Sequence, residues 1–158
     1  MTTTNIQPLL DLVATNTPDW NQVLTQTLAT FDCTTGTLHR LDPTTGLLTL
    51  VAYAGMPEFL LPKISQIPIG KGMAGIAAER REAVQLCNLQ TDESGVARPA
   101  ARDTKVEGSI ALPLLLNGEL HGTLGIAKPV PYDFTDDEVA ALMQLGEAIS
   151  RAAIGMSR

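Results

Sequence analysis

Two apolar runs, Ser109–Leu116 ("SIALPLLL") and Glu119–Ala127 ("ELHGTLGIA"), are separated by nothing but Asn117-Gly118. A two-residue connection of this kind needs positive φ at both positions, which Asn-Gly supplies at least cost. The pair therefore predicts a tight hairpin, and a hairpin makes its sheet antiparallel. A second hairpin is expected upstream. "CTTGTLHRLD" and "GLLTLVAYAG" read as strands, with the turn-forming "PTTG" between them. "ISQIPIG" is expected to be extended, and "AVQLCNL" to be the next strand.

Helical periodicity brackets these strands. A short helix is expected near Pro8–Ala14. Thr17 can cap a second helix, with Pro18 at its first position and Trp20, Val23, Leu24, Leu28 and Phe31 on one face. Short helices are expected over Pro57–Ile64 and from Gly70 to Arg80. Thr135-Asp136-Asp137-Glu138 is a capping box opening a last helix. Val139, Leu142, Met143, Gly146, Ile149 and Ala153 form its apolar face. Residues 90–107 form one long polar segment, and loops of that length are usually functional or mobile. The order predicts an α+β fold with a largely antiparallel sheet.

The chain has 158 residues, enough for one domain with a real core. Aromatics make up only 4 %, so the core must be aliphatic. A net charge of −6 repels phosphate backbones and anionic lipid, which argues against nucleic-acid and membrane partners. The longest apolar runs fall short of a membrane span, and the first residues carry no signal-peptide pattern. The expectation is a cytoplasmic protein. Cys33 and Cys87 form neither a C-x-x-C pair nor a zinc pattern. His39 and His121 are expected in strands, partly exposed, with no metal between them.

Gly70-x-Gly72-x-x-Gly75 has the spacing of a dinucleotide-binding turn. That chemistry requires a buried parallel strand before it and a long helix after it. Pro68 precedes it instead, and the helix has no room beyond about Arg81. The glycines are expected to serve tight backbone geometry, with Ala74, Gly75, Ala77 and Ala78 allowing close packing.

"IPIGKGMAGIAAERREAVQLCNL", "GSIALPLLLNGELHGTLGIAKP" and "DFTDDEVAALMQLGEAIS", in that order, resemble a GAF domain. The resemblance covers one domain, 1–158, with a core of about 18–153. It implies a GAF/PAS-like central antiparallel sheet of five or six strands. The terminal helices would pack on one face. Short helices and the long loop would cover a ligand pocket on the other. Most of the family are sensory modules for varied small molecules, so the resemblance implies a non-enzymatic sensor of an unidentified ligand, cofactor unknown. Its pocket would involve Met73, Ala74, Ile76, Cys87, Arg98, Arg102, Asp103 and Ser109.

One branch of the family reduces free methionine-R-sulfoxide with cysteines. The resemblance puts one of those cysteines at Ala74 and another at about Arg102, just before Asp103; neither is cysteine here. Ser109 and Gly125 stand where that branch carries carboxylates. No catalytic residue is therefore assigned, and Cys87 is expected to be an inert core thiol. Arg98 or Arg102 pointing inward would grip a carboxylate or phosphate. The alternatives are a diverged reductase-like enzyme and a ligand-free dimerisation module joined through the terminal helices. A sensor without an output segment would act on a separate signalling partner or as part of a longer protein.

Overall fold

A computed structural model of the protein describes residues 5–15, 17–90 and 106–156, side chains 153–156 excepted. Helices α1 (Gln7–Val13) and α2 (Trp20–Thr30) lead into strands β1 (Thr35–Leu41) and β2 (Leu47–Ala54). A 3-10 turn (Glu58–Leu60), α3 (Leu61–Ile64), β3 (Gln66–Pro68), α4 (Gly72–Arg80) and β4 (Val84–Leu86) follow. The hairpin β5 (Ser109–Leu116) and β6 (Glu119–Ala127) precedes the long α5 (Asp136–Met156). No helix among the described residues is long and apolar enough to cross a membrane.

The six strands form one antiparallel sheet in the order β3-β2-β1-β6-β5-β4. Both prolines in strands sit where a missing N–H costs little. Pro68 is on the edge strand β3. Pro113 of β5 lies past Ala111, where pairing with β4 ends. Asn117 and Gly118 take φ of 53° and 80°, the double positive turn that the hairpin demands.

The two faces of the sheet carry different layers. Alternation puts Leu38, Leu112, Leu124 and Ile126 on one side. Leu24 and Leu28 of α2 and Leu142, Leu145 and Ile149 of α5 cover them in the main core. Full burial of each such side chain stabilises by about 1.5–3 kcal/mol. The apolar stripe of α5 is thus spent on the sheet. The opposite face carries α4, which packs on β5 and β6. Leu48, Ile67 and Ala78 form one small core there, and Ala77, Val84 and Ala111 another.

Caps define the helices. Asp19, not Thr17, caps α2: its carboxylate accepts from the backbone N–H of Asn21 and Gln22. Two residues closer to the apolar face than Thr17, Asp19 leaves Pro18 outside the helix. At α5 the capping box is formed. Thr135 Oγ1 accepts from Glu138 N at 3.1 Å, and Glu138 Oε1 accepts from Thr135 N at 2.9 Å. The Tyr132 hydroxyl donates to the same carboxylate at 2.6 Å. That bond to Glu138, before any effect of burial, pushes Tyr132 up to about 12.

Lys128 ties the ends of two helices together. Its Nζ donates to the carbonyls of Phe31, at 2.6 Å, and Asp32, at 3.1 Å, just past α2. The same ammonium lies 4.5 Å from the Tyr132 ring centroid, in the lead-in to α5.

Candidate functional site

The glycine turn opens α4 against an antiparallel edge strand, so the dinucleotide reading has no structural support. Gly70 and Gly72 have φ of 92° and 68°. A Cβ on Gly75 would lie 2.5 Å from the Pro68 carbonyl oxygen. The motif therefore reverses the chain and seats α4 on β3. Arg81, with φ of 56°, ends α4, and its guanidinium donates to the Gly118 carbonyl in the hairpin turn.

Between α4 and the sheet lies a cavity of about 130 Å³. Met73 and Ala74 of α4 line it, with Ser109 and Ala111 of β5, Gly125 of β6 and Thr37 of β1. Met56, Leu89 and Val106 close its sides. The register explains the floor: Gly125 pairs with Thr37 on one side and Ala111 on the other. A Cβ on Gly125 would meet Thr37 Oγ1 at 3.3 Å, so the glycine keeps the floor open.

Polar capacity in this wall is small. Ser109 Oγ donates to the Glu107 carbonyl at 3.3 Å, and Thr35 Oγ1 donates to the Gly55 carbonyl at 3.2 Å. Thr37 is half-buried, and its hydroxyl makes no hydrogen bond among the described residues. The described wall contains no charged side chain, histidine or thiol.

Of the residues named from sequence, Met73, Ala74 and Ser109 meet in this cavity. Ile76 is half-buried and packs instead beside Ala77, Val84 and Ala111. Cys87 does not line the cavity. It follows β4 and is exposed, which corrects its expected burial. The strand is three residues long, so Cys87 falls past its last paired position, Leu86. Arg98, Arg102 and Asp103 lie outside the described residues. Thr37 and Met56 were missed. The strand alternation around His39 holds the signal for Thr37, whereas Met56 reaches the wall from a loop.

Two further titratable groups lie outside this cavity, and the burial of one of them differs from expectation. Cys33 is half-buried against the main core, and its Sγ lies 3.6 Å from the Phe31 carbonyl. Burial pushes its thiol up to about 11, which suppresses the nucleophilic thiolate. His39 is 1 % exposed rather than partly exposed. Its Nε2 donates to the Ile64 carbonyl at 2.7 Å, and burial lowers its pKa. The described residues contain no group of three His, Cys, Asp or Glu able to hold a metal ion.

A six-stranded antiparallel sheet, terminal helices behind it and a short helix over a cavity in front define a sheet-and-lid α+β module. The family model for the GAF domain matches residues 15–152, and the chain belongs to that family. The GAF domain of a phosphoenolpyruvate-protein phosphotransferase from Coxiella burnetii has the same fold. It is 21 % identical, with a TM-score of 0.78 over 97 % of this chain and 95 % of that one. Free methionine-R-sulfoxide reductase from Neisseria meningitidis, solved with its substrate, also shares the fold. It is 18 % identical, with a TM-score of 0.74 over 94 % of this chain and 86 % of that one. The free methionine-R-sulfoxide reductase of Escherichia coli (strain K12) is 30 % identical over 80 residues. That match spans 51 % of this chain and about half, 46 %, of the enzyme.

Proposed function

We propose that this GAF domain is a regulatory module that binds a small, largely apolar molecule in the α4 cavity and performs no chemistry on it. The observation that carries this reading is the wall itself. Ala74 stands where the resemblance to the reductase branch calls for a cysteine, and it lines the cavity. Neither cysteine of the chain joins it there: Cys33 packs with the opposite core, and Cys87 is exposed beyond β4. Sulfoxide reduction needs a thiolate at the sulfur, and an alanine methyl supplies none. Met56 and Met73 offer adaptable, polarizable contact, and Thr37 a single hydroxyl. Ligand capture would hold α4 against β1, β5 and β6, a change that a separate signalling partner could read.

Two measurements test the reading. Native mass spectrometry of the protein as purified should show a bound small molecule, reduced or lost in Ala74→Leu, which fills the cavity. Turnover of free methionine-R-sulfoxide, coupled to thioredoxin and NADPH, should stay at the blank rate. Turnover that needs Cys87 would replace the sensor with an enzyme. An empty cavity that no small-molecule panel stabilises against heat would favour a dimerisation module.

A further inference from the structure

We propose that the domain carries a second ligand site, on the opposite face of the sheet, that takes a small apolar carboxylate. A cavity of about 260 Å³ lies between the terminal-helix layer and the sheet. Trp20 of α2 and Ile149 of α5 form part of its wall, with Arg40, Thr49, Leu114 and His121 from the strands. Alternation places these strand residues under the helices. Arg40 has the parity of Leu38, which is in the main core, and Thr49 is Arg40's antiparallel partner. His121 is the extra residue of a β-bulge: Leu114 pairs with Gly122 and Leu115 with Leu120, which leaves His121 unmatched.

Arg40 is the central observation. It is half-buried, and its guanidinium has no carboxylate or hydrogen-bond partner among the described residues, in a chain with 17 acidic side chains. Its nitrogens are not among the buried unpartnered atoms, so the guanidinium keeps contact with water and stays available to an anion at the cavity mouth. Three polar atoms in the same wall are buried without a partner: His39 Nδ1, Thr49 Oγ1 and His121 Nε2. Strands β1, β2 and β6 thus bring unspent hydrogen-bonding capacity to one cavity, whose other lining side chains, apart from His39, are aliphatic or the Trp20 indole.

The ligand chemistry follows from this wall. A planar guanidinium pairs with a carboxylate through two parallel hydrogen bonds. Leu38, Leu114, Ile149 and the Trp20 indole suit an apolar tail. The α4 cavity has a different wall and no charged residue among the described ones, so the two sites would select different molecules.

Trp20 is the only tryptophan of the chain, so its emission reports on this cavity alone. The full chain is titrated with sodium octanoate, and with 1-octanol and octylamine as tails without the negative charge. Octanoate should give a saturable change in Trp20 emission that the other two do not match. Arg40→Gln should weaken octanoate by about tenfold or more, Arg40→Lys by less, and Ala74→Leu not at all. Should Arg40→Gln fail to fold, the contrast between octanoate and octylamine on the unmodified protein decides. No saturable change, an equal response to octanol, or an undiminished response in folded Arg40→Gln would overturn the proposal. Loss of the response in Ala74→Leu alone would move the binding to the α4 cavity and overturn it equally.

Discussion

Lys128→Met removes one ammonium from the interior and leaves most of the side-chain stem in place, which isolates the charge from the packing. Lys128 is 7 % exposed, and two kinds of contact depend on its Nζ. The carbonyls of Phe31 and Asp32 lose a charged donor, and such bonds contribute about 1.5–3 kcal/mol. The cation–π contacts with Tyr132, at 4.5 Å, and Phe134, at 5.8 Å, contribute up to about 2 kcal/mol together when desolvated. Against these stands the relief of no longer burying an ammonium, itself several kcal/mol by general estimates. The carbonyls lie at the end of α2, where the helix dipole favours a cation, which tips the balance toward net stabilisation. The expected loss is about 2 kcal/mol, or about 4–8 °C in melting temperature for a domain of this size. Urea unfolding followed by circular dichroism measures it. A variant within about 0.5 kcal/mol of the parent, or more stable than it, would show that desolvation cancels the contacts and refute the argument.

Two further perturbations probe the frame around the cavities. Thr135→Ala should cost about 1 kcal/mol by removing the cap of α5, and Thr135→Ser should recover most of it in thermal melts. His39 supplies a pH signature. Its folded pKa lies below the ordinary 6.5, so between those two values the unfolded chain binds the proton and the folded one does not. Its contribution is fully present above about pH 6.5 and is lost as pH falls toward and through the folded pKa. The stability difference between the parent and His39→Gln should therefore shrink on acidification, and a difference flat between pH 7.5 and pH 5 would remove His39 as the cause.

What could be read from the chain was whatever short-range chemistry decides. Asn117-Gly118 and the Thr135/Glu138 box each act within four residues, and both take the expected form. Pro68 correctly argued against a central strand because a missing N–H is a local fact. Misreadings arose where a distant neighbour decides. His39 is buried because α3, far along the chain, brings the Ile64 carbonyl over it. Cys87 is exposed because β4 stops at Leu86, which depends on where β5 ends its pairing. The bulge at His121 redirects a side chain with no change of composition to announce it. Within the α4 cavity, Met73, Ala74 and Ser109 were legible through the family pattern. Thr37 and Met56 come from a strand and a loop that the pattern does not mark.

The pairing of β1 with β6 has a consequence for how the chain must come together. Thr35 lies opposite Ala127, so the first and last strands of this domain to be synthesised, among the described residues, are partners at the middle of the sheet. Until β6 has been synthesised, β1 has one unpaired edge and Leu38 lacks Leu124 beside it. Such a seam closes late and over a long loop, which slows folding and leaves a strand edge open to other chains meanwhile. The fold is in effect two consecutive three-stranded halves, β1 to β3 and β4 to β6, zipped along one ladder. Both cavities draw residues from each half, so neither could take shape before the zip has closed.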